Sequence, residues 1–435
     1  MVIQLPSEKD AIEQPADAEA GVIDDARARH RRERWVGAIA AALAVAAGLV
    51  FGLSGGGGGS GGARHHGGRG APGAAVRGSS QRVAVTTRTP HVMQFGLLAP
   101  GIGWTANGAA FYLTRDDGRA WNVLSRDTHN GSHYANVSLP GLGLDGDIGA
   151  NITASSSPSA SVLALGFIDG RAAASCTPPA TPAQGAGTIV LTANGGRTWS
   201  THVLPGCSIT TSLSFISARA GFAVLGGGPR SSNLFRTDDG GRTWRLVSRF
   251  PAPMVVSFGN RDDGLALVTV NNRSGAGSLY RTTDGGRTWQ RSRFCGPTAD
   301  PTVTVYCGEP SSFGSRGVVL AIAQKLAKAR SVEAFVYTTS DAGRHWTRRR
   351  IPPLHSPEAP SFSAPDANDL FVYSLNGVLH TTTDGGRTWS SIREPGFRDL
   401  SQMQFVNADY GWVLTRDHFD YTTDGGRSWK PIGTG

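Results

Sequence analysis

Two kinds of apolar pattern divide the chain. From Trp35 to Leu53 runs WVGAIAAALAVAAGLVFGL, nineteen residues without a charge, about the length an α-helix needs to cross the hydrocarbon core of a bilayer. Toward the C-terminus the apolar residues come in short runs, such as Gly411-Trp-Val-Leu-Thr and Phe419-Asp-Tyr-Thr-Thr, then Trp429-Lys-Pro-Ile. Runs of that length bounded by turn residues read as strands. Between the two patterns lies 54–80, SGGGGGSGGARHHGGRGAPGAAVRGSS, which lacks the apolar surface to fold and reads as a flexible tether. His65 and His66 within it read as solvated side chains.

The strand-rich part repeats. TTDGGRTW occurs outright at 282–289 and 382–389, and the pattern Ser/Thr-x-Asp-x-Gly-x-Thr-Trp recurs at 114–121, 192–199, 237–244, 339–346 and 422–429. The departures are mild: Asn194 stands for the aspartate, Ala120 and His345 for the late threonine, and Ser428 is conservative. Successive tryptophans are 78, 45, 45, 57, 43 and 40 residues apart. Most of these intervals match the roughly 40–50 residues of a propeller repeat. The two long ones hold insertions, and an eighth blade in the first would lack the motif. The motif predicts a turn: Asp and Ser/Thr side chains bond the loop backbone, glycine allows the sharp bend, and Trp packs between layers. A strand, a turn, two further strands, the motif and a fourth strand make one four-stranded blade. The predicted fold is all-β, a seven-bladed propeller over 81–435 preceded by a single membrane helix and a linker.

The motif resembles the BNR or Asp-box repeat of bacterial sialidases, sortilin-type receptors and the photosystem II stability and assembly factor family. The resemblance covers residues 91–435. It implies that the box sits on the blade periphery as scaffold. Asp116, Asn194, Asp239, Asp284, Asp341, Asp384 and Asp424, with Trp121, Trp199, Trp244, Trp289, Trp346, Trp389 and Trp429, are then structural.

Charge sets the topology. Arg27, Arg29, Arg31, Arg32 and Arg34 precede the apolar segment and only Ser and Gly follow it, so residues 1–34 are expected to stay cytoplasmic and everything after Leu53 to be extracytoplasmic in a single-pass cell-membrane protein. A cleaved secretory signal is the rival reading, and a 34-residue polar lead is long for one. The formal charge is +9, with six Lys/Arg against eight Asp/Glu in residues 1–35 and 36 against 25 in the rest. That excess fits anionic partners, although many of its arginines recur at one repeat position. Nucleic acid is excluded as a partner by export.

With the box between third and fourth strands, the fourth-to-first and second-to-third connections lie at the opposite end. The long segments 122–158, 177–187, 226–232, 271–277, 295–310 and 324–332 fall there. So do all four cysteines, and an even count in an exported domain fits disulfides, with Cys176 to Cys207 and Cys295 to Cys307 the expected pairing. Arg230, Arg273, Lys325, Lys328 and Arg330 form a candidate ligand rim for a protein or an anionic glycan or envelope polymer.

An exo-sialidase is the enzymatic alternative. The family pattern asks for an arginine trio, a Phe/Tyr-Arg-Ile-Pro motif before the first box and a tyrosine nucleophile. No such Arg-Ile-Pro motif precedes Thr114; Arg350-Ile-Pro follows the fifth box, and Tyr410 and Tyr421 read as strand or turn aromatics. Asp145 and Asp147 are the one tempting carboxylate pair, and Asp-Gly-Asp reads as a turn. No Walker loop, HExxH, nucleophile elbow or EF-hand occurs. The expectation is a monomeric, non-enzymatic binding or assembly module with no cofactor, no metal and no catalytic residue. The strand from Arg82 to Thr87 is expected to pair at the seam beside the last blade or to end the tether.

Overall fold

The computed structural model describes residues 84–86 and 92–432, apart from 107–110, 125, 128–135, 140–143, 170–185, 205–208, 227–230, 269–276, 298–302, 326–331, 355–359, 375–376, 394–396 and 398–399. The expected tail, membrane segment 35–53 and linker lie outside the described residues. Among those described, no helix is long and apolar enough to cross a membrane.

The strands form seven antiparallel sheets, one per box. Blade 3 is the plainest: Ile209–Phe215, Gly221–Gly226, Ser232–Thr237 and Arg245–Phe250 pair in chain order. Apart from the strands added in blades 2 and 5, the first strand of each blade is innermost. Around the ring these are Gln94–Ala99, Leu144–Ser159, Ile209–Phe215, Met254–Phe258, Ser311–Phe313, Ser361–Ser363 and Gln402–Phe405, and most neighbours among them touch. The long interval between the first two boxes holds one blade, not two, among the described residues.

The core lies between blades rather than inside one. Each box tryptophan enters the interface with the preceding blade. Trp199 meets Phe111 of blade 1 edge-on; Trp244, Trp289 and Trp429 stand edge-on to the inner-strand Phe215, Phe258 and Phe405 of their own blades, within clusters shared with the blade before. Trp346 packs on Phe294, and Trp389 is packed against buried Leu320, Leu370 and Val372. Trp121, fully buried, meets Trp412 across the junction of blades 7 and 1. A wedge with an apolar face on each side must close into a ring to bury both, which is why the sequence needs its full set of repeats.

Hydroxyls on the innermost strands stitch neighbouring blades. Ser156 accepts the Phe215 N–H, Ser212 that of Val256, Ser214 that of Phe258, Ser257 that of Ser312 and Ser363 that of Phe405, at 2.8–3.1 Å. The closing seam uses a longer side chain. The Gln402 amide oxygen accepts the Phe95 N–H at 3.1 Å and its NH₂ donates to the Phe95 carbonyl at 2.7 Å, and Gln404 treats Leu97 in the same way. Each glutamine thus imitates one rung of a β-ladder, and both boundary blades are built from contiguous segments. The strand Ala84–Thr86 takes no part in this seam. It pairs with Trp121–Val123 on the outer edge of blade 1, which corrects the expectation that it would sit beside the last blade. A short segment finds the free N–H and C=O row of an edge strand there.

Candidate functional site

The ring has two unlike ends. At the box end all seven turns are closed by the same local bonds. The opening threonine hydroxyl donates to the side-chain oxygen of the third residue at 2.8–3.1 Å and accepts the N–H of the fifth at 2.8–3.0 Å. The N–H of the fourth residue reaches a carbonyl in the first-to-second-strand turn of its own blade, as Gly285 does to Asp262 and Gly425 to Asp409. The substitutions keep the wiring: His345 Nδ1 lies 2.6 Å from Asp341 Oδ2 in the place of a threonine hydroxyl, and Asn194 donates to Thr198 Oγ1 at 2.8 Å. Hydroxyl and N–H of Thr243 hold the Asp239 carboxyl down to about 2. The Thr388 N–H and hydroxyl likewise lower Asp384, and the His345 N–H and ring lower Asp341. Carboxylates held ionised by their own turns are poor proton donors.

Of the expected rim, Arg230, Arg273, Lys328 and Arg330 lie outside the described residues, as do Cys176 and Cys207. Lys325 ends the strand Arg316–Lys325, opposite Val303. The insertions at this loop-bearing end are more ordered than loops. In blade 2, Arg126–Asp127 and Asn136–Leu139 add two strands on the axis side of Leu144–Ser159. Asp145 and Asp147 fall within that last strand, correcting the turn expected for Asp-Gly-Asp. In blade 5, Gly296–Pro297 and Val303–Cys307 are added on the axis side of Arg316–Lys325, and Cys295 bonds Cys307 with Cα atoms 5.8 Å apart. Blades 2 and 5 are three apart in a ring of seven. Their added strands therefore flank the axial mouth from nearly opposite sides.

Below that mouth, midway along the inner layer of blade 5, lies Glu309. The Gly308 N–H donates to the Leu320 carbonyl at 2.8 Å, which keeps this stretch in the sheet between Val303–Cys307 and Ser311–Phe313. Along 94–99, 152–159, 209–215, 254–258, 303–313, 361–363 and 402–405 of the inner layer Glu309 is the one charged residue; nearer the mouth, Asp145 and Asp147 lie in the strand Leu144–Ser159 and Arg126 and Asp127 in a strand added on its axis side. It reaches solvent in part, yet burial pushes its carboxyl up to about 7. Tyr306, half-buried on the same layer, has its hydroxyl raised by the same cause. Neither residue was singled out from sequence; the one available signal was an acid, between Gly308 and Pro310, in a segment otherwise short of charge. Among the described residues, no three His, Cys, Asp or Glu side chains are grouped so that they could hold a metal ion.

No family model matches the chain, and no curated protein matches it. Solved structures similar to it include YCF48 bound to D1 peptide, at 16% identity over 65% of this chain and 80% of that chain with a TM-score of 0.42. YCF48 from Cyanidioschyzon merolae is similar at 14% identity over 77% and 95%, with a TM-score of 0.43. The GH74 enzyme of Niastella koreensis is similar at 13% identity over 76% of this chain and 52% of that chain, with a TM-score of 0.45.

Proposed function

We propose that this chain is a non-enzymatic binding or assembly module, held at a membrane by residues 35–53 and engaging a protein partner or an anionic envelope polymer through the loop-bearing end of its ring. The contrast between the ring's ends carries the reading. One end repeats a single closed turn seven times; the other carries unequal connections and added strands in blades 2 and 5, one of them disulfide-bonded. Variable segments on a rigid ring are where recognition groups can differ without disturbing the scaffold.

Two further features support it. The strand Ala84–Thr86 runs from the loop-bearing end to the box end, since Ala84 pairs with Val123 and Thr86 with Trp121. The chain thus reaches the ring from the side of the ligand face, and a tether leading back to a bilayer would hold that face near it. Against sialidase-type hydrolysis, no Phe/Tyr-Arg-Ile-Pro motif precedes the first box at Thr114.

The test is a panel of envelope polymers and surface proteins titrated with the full chain in detergent at low and high salt, beside a fluorogenic sialoside. Salt-sensitive binding weakened by Arg273→Glu and Lys328→Glu, but not by Arg287→Glu or Arg387→Glu at the box end, is the expected result. Turnover of the sialoside would overturn the non-enzyme reading, and binding that follows the box-end variants would place the ligand face at the wrong end.

A further inference from the structure

We infer that the axial mouth between the added strands of blades 2 and 5 receives a cationic side chain, lysine or arginine, from a protein partner, with Glu309 as its counter-ion. The inference rests on the reading of the loop-bearing end as the ligand face and names the chemistry that enters it.

Several polar side chains of the inner layer hold the ring together. Ser156, Ser212, Ser214, Ser257, Ser363, Gln402 and Gln404 all bond the backbone of a neighbouring blade and are occupied in holding the ring together. Glu309 differs from every one of them. No hydrogen bond or ion pair joins its carboxyl to any described residue. A carboxylate shut in by protein without donors is costly to ionise, and natural interiors rarely keep such a group without a partner. Here the partner is absent from the described chain while the residue keeps an opening to solvent. A guanidinium or ammonium entering by that opening supplies both the missing charge and the missing donors.

Tyr306, a half-buried aromatic, stands on the same strand layer. The wall beside Glu309 is fixed, since Cys307, two residues before it, is bonded to Cys295 and both sulfurs lie in the apolar cluster with Leu267, Leu279 and Val319. A preformed wall leaves less ordering to be offset on binding.

The experiment titrates the full chain in detergent, at pH 8 and low salt, with N-acetyl-lysine amide, N-acetyl-arginine amide and the neutral N-acetyl-norleucine amide, followed by ligand-observed NMR. Saturable binding of the two cationic amides with Kd on the order of 1 mM is expected, with none for norleucine. Glu309→Gln should weaken it about tenfold or more, the loss of one charged contact, and Arg387→Gln on the box end should leave it unchanged. Thermal unfolding of Glu309→Gln is measured alongside; should that variant not fold, Glu309→Asp, which keeps the charge and shortens the reach, must weaken binding instead. Equal binding of norleucine and lysine amides, undiminished binding by the Glu309 variants, or no binding at all overturns the inference. Polymer docking reads the rim and amine binding reads Glu309, so failure of either is distinguishable from failure of the other.

Discussion

The box end and the loop-bearing end of this ring are made by the same seven sheets, yet their polar groups are in opposite states. At the box end Asp239 and Asp384 are surrounded by donors from their own turns and titrate low; midway down from the other end Glu309 has no donor and titrates high. A ring of wedge-shaped blades needs identical closures at one end to set its geometry. That frees the other end to vary, and the insertions of blades 2 and 5 are that variation. The difference separates scaffold chemistry from ligand chemistry without any appeal to where the motif residues repeat.

The largest expected effect tests whether the box end is scaffold. Trp121 is fully buried against Trp412, and Trp121→Ala should cost about 3–5 kcal/mol in denaturant unfolding, the range for emptying a large aromatic site. A loss under about 1 kcal/mol, the size of an ordinary surface change, would mean the ring does not depend on its inter-blade tryptophans.

Next in size is the seam. Replacing both Gln402 and Gln404 with leucine removes four side-chain to backbone bonds and leaves Phe95 and Leu97 without these partners. At roughly 1 kcal/mol per bond the double variant should lose about 2–4 kcal/mol. Limited proteolysis should then cut first near blades 1 and 7; cleavage beginning elsewhere would show that the seam is not where the ring opens.

The seam also marks where sequence reading stops. The boxes were legible because the side-chain bonds of that turn are made within eight residues, so composition at fixed spacing carries most of its structure. The seven blades and the strand order followed from counting those turns. Gln402 and Phe95 are 307 residues apart, and nothing local distinguishes a glutamine that closes a ring from one that is solvated. The stretch 144–151, LDGDIGAN, is glycine-rich and weakly alternating, and it reads as a loop; pairing with Asn136–Leu139 on one side and Val162–Asp169 on the other holds it as strand. Glu309 escaped for a similar reason. Its surroundings come from blade packing, and an isolated acid in a long insertion looks like any exposed one.

Third in size, the two states titrate in opposite directions. Box carboxyls such as Asp239 have a folded pKa of about 2, below the ordinary 3.8, so the stability they add is present above pH 4 and is lost as pH falls through the folded value. Glu309 is the reverse. Its folded pKa of about 7 lies above the ordinary 4.5, so its favourable share is full below pH 4.5 and is lost as pH rises through 7. Glu309→Gln should therefore raise stability by about 1–3 kcal/mol at pH 9, discounted for its solvent contact, and change little at pH 4. A gain of the same size at both pH values would point to packing rather than charge.

The smallest effect comes from one substitution made in two boxes, and its sign is the point. The fourth box position has a left-handed backbone in every copy; glycine fills it in five, and Asp117 at φ 60° and Ala342 at φ 57° fill it in the others. An L-residue is strained there by roughly 1 kcal/mol relative to glycine. Ala342 makes no side-chain bond that would offset the strain, so Ala342→Gly should gain about 0.5–1 kcal/mol. Asp117 accepts a hydrogen bond from the Tyr410 hydroxyl, which in turn accepts the Trp412 indole N–H at 3.0 Å, tying blade 1 to blade 7. Asp117→Gly relieves the same strain but leaves that hydroxyl without its acceptor at the closing seam, and should lose about 1 kcal/mol net. Equal gains from both variants would show that the Asp117 bond contributes nothing to closure and that the seam rests on its glutamines and aromatic packing alone. Opposite signs would show that the first box has given up the favoured residue for a contact across the ring, so that even the repeated end varies where the ring must be joined.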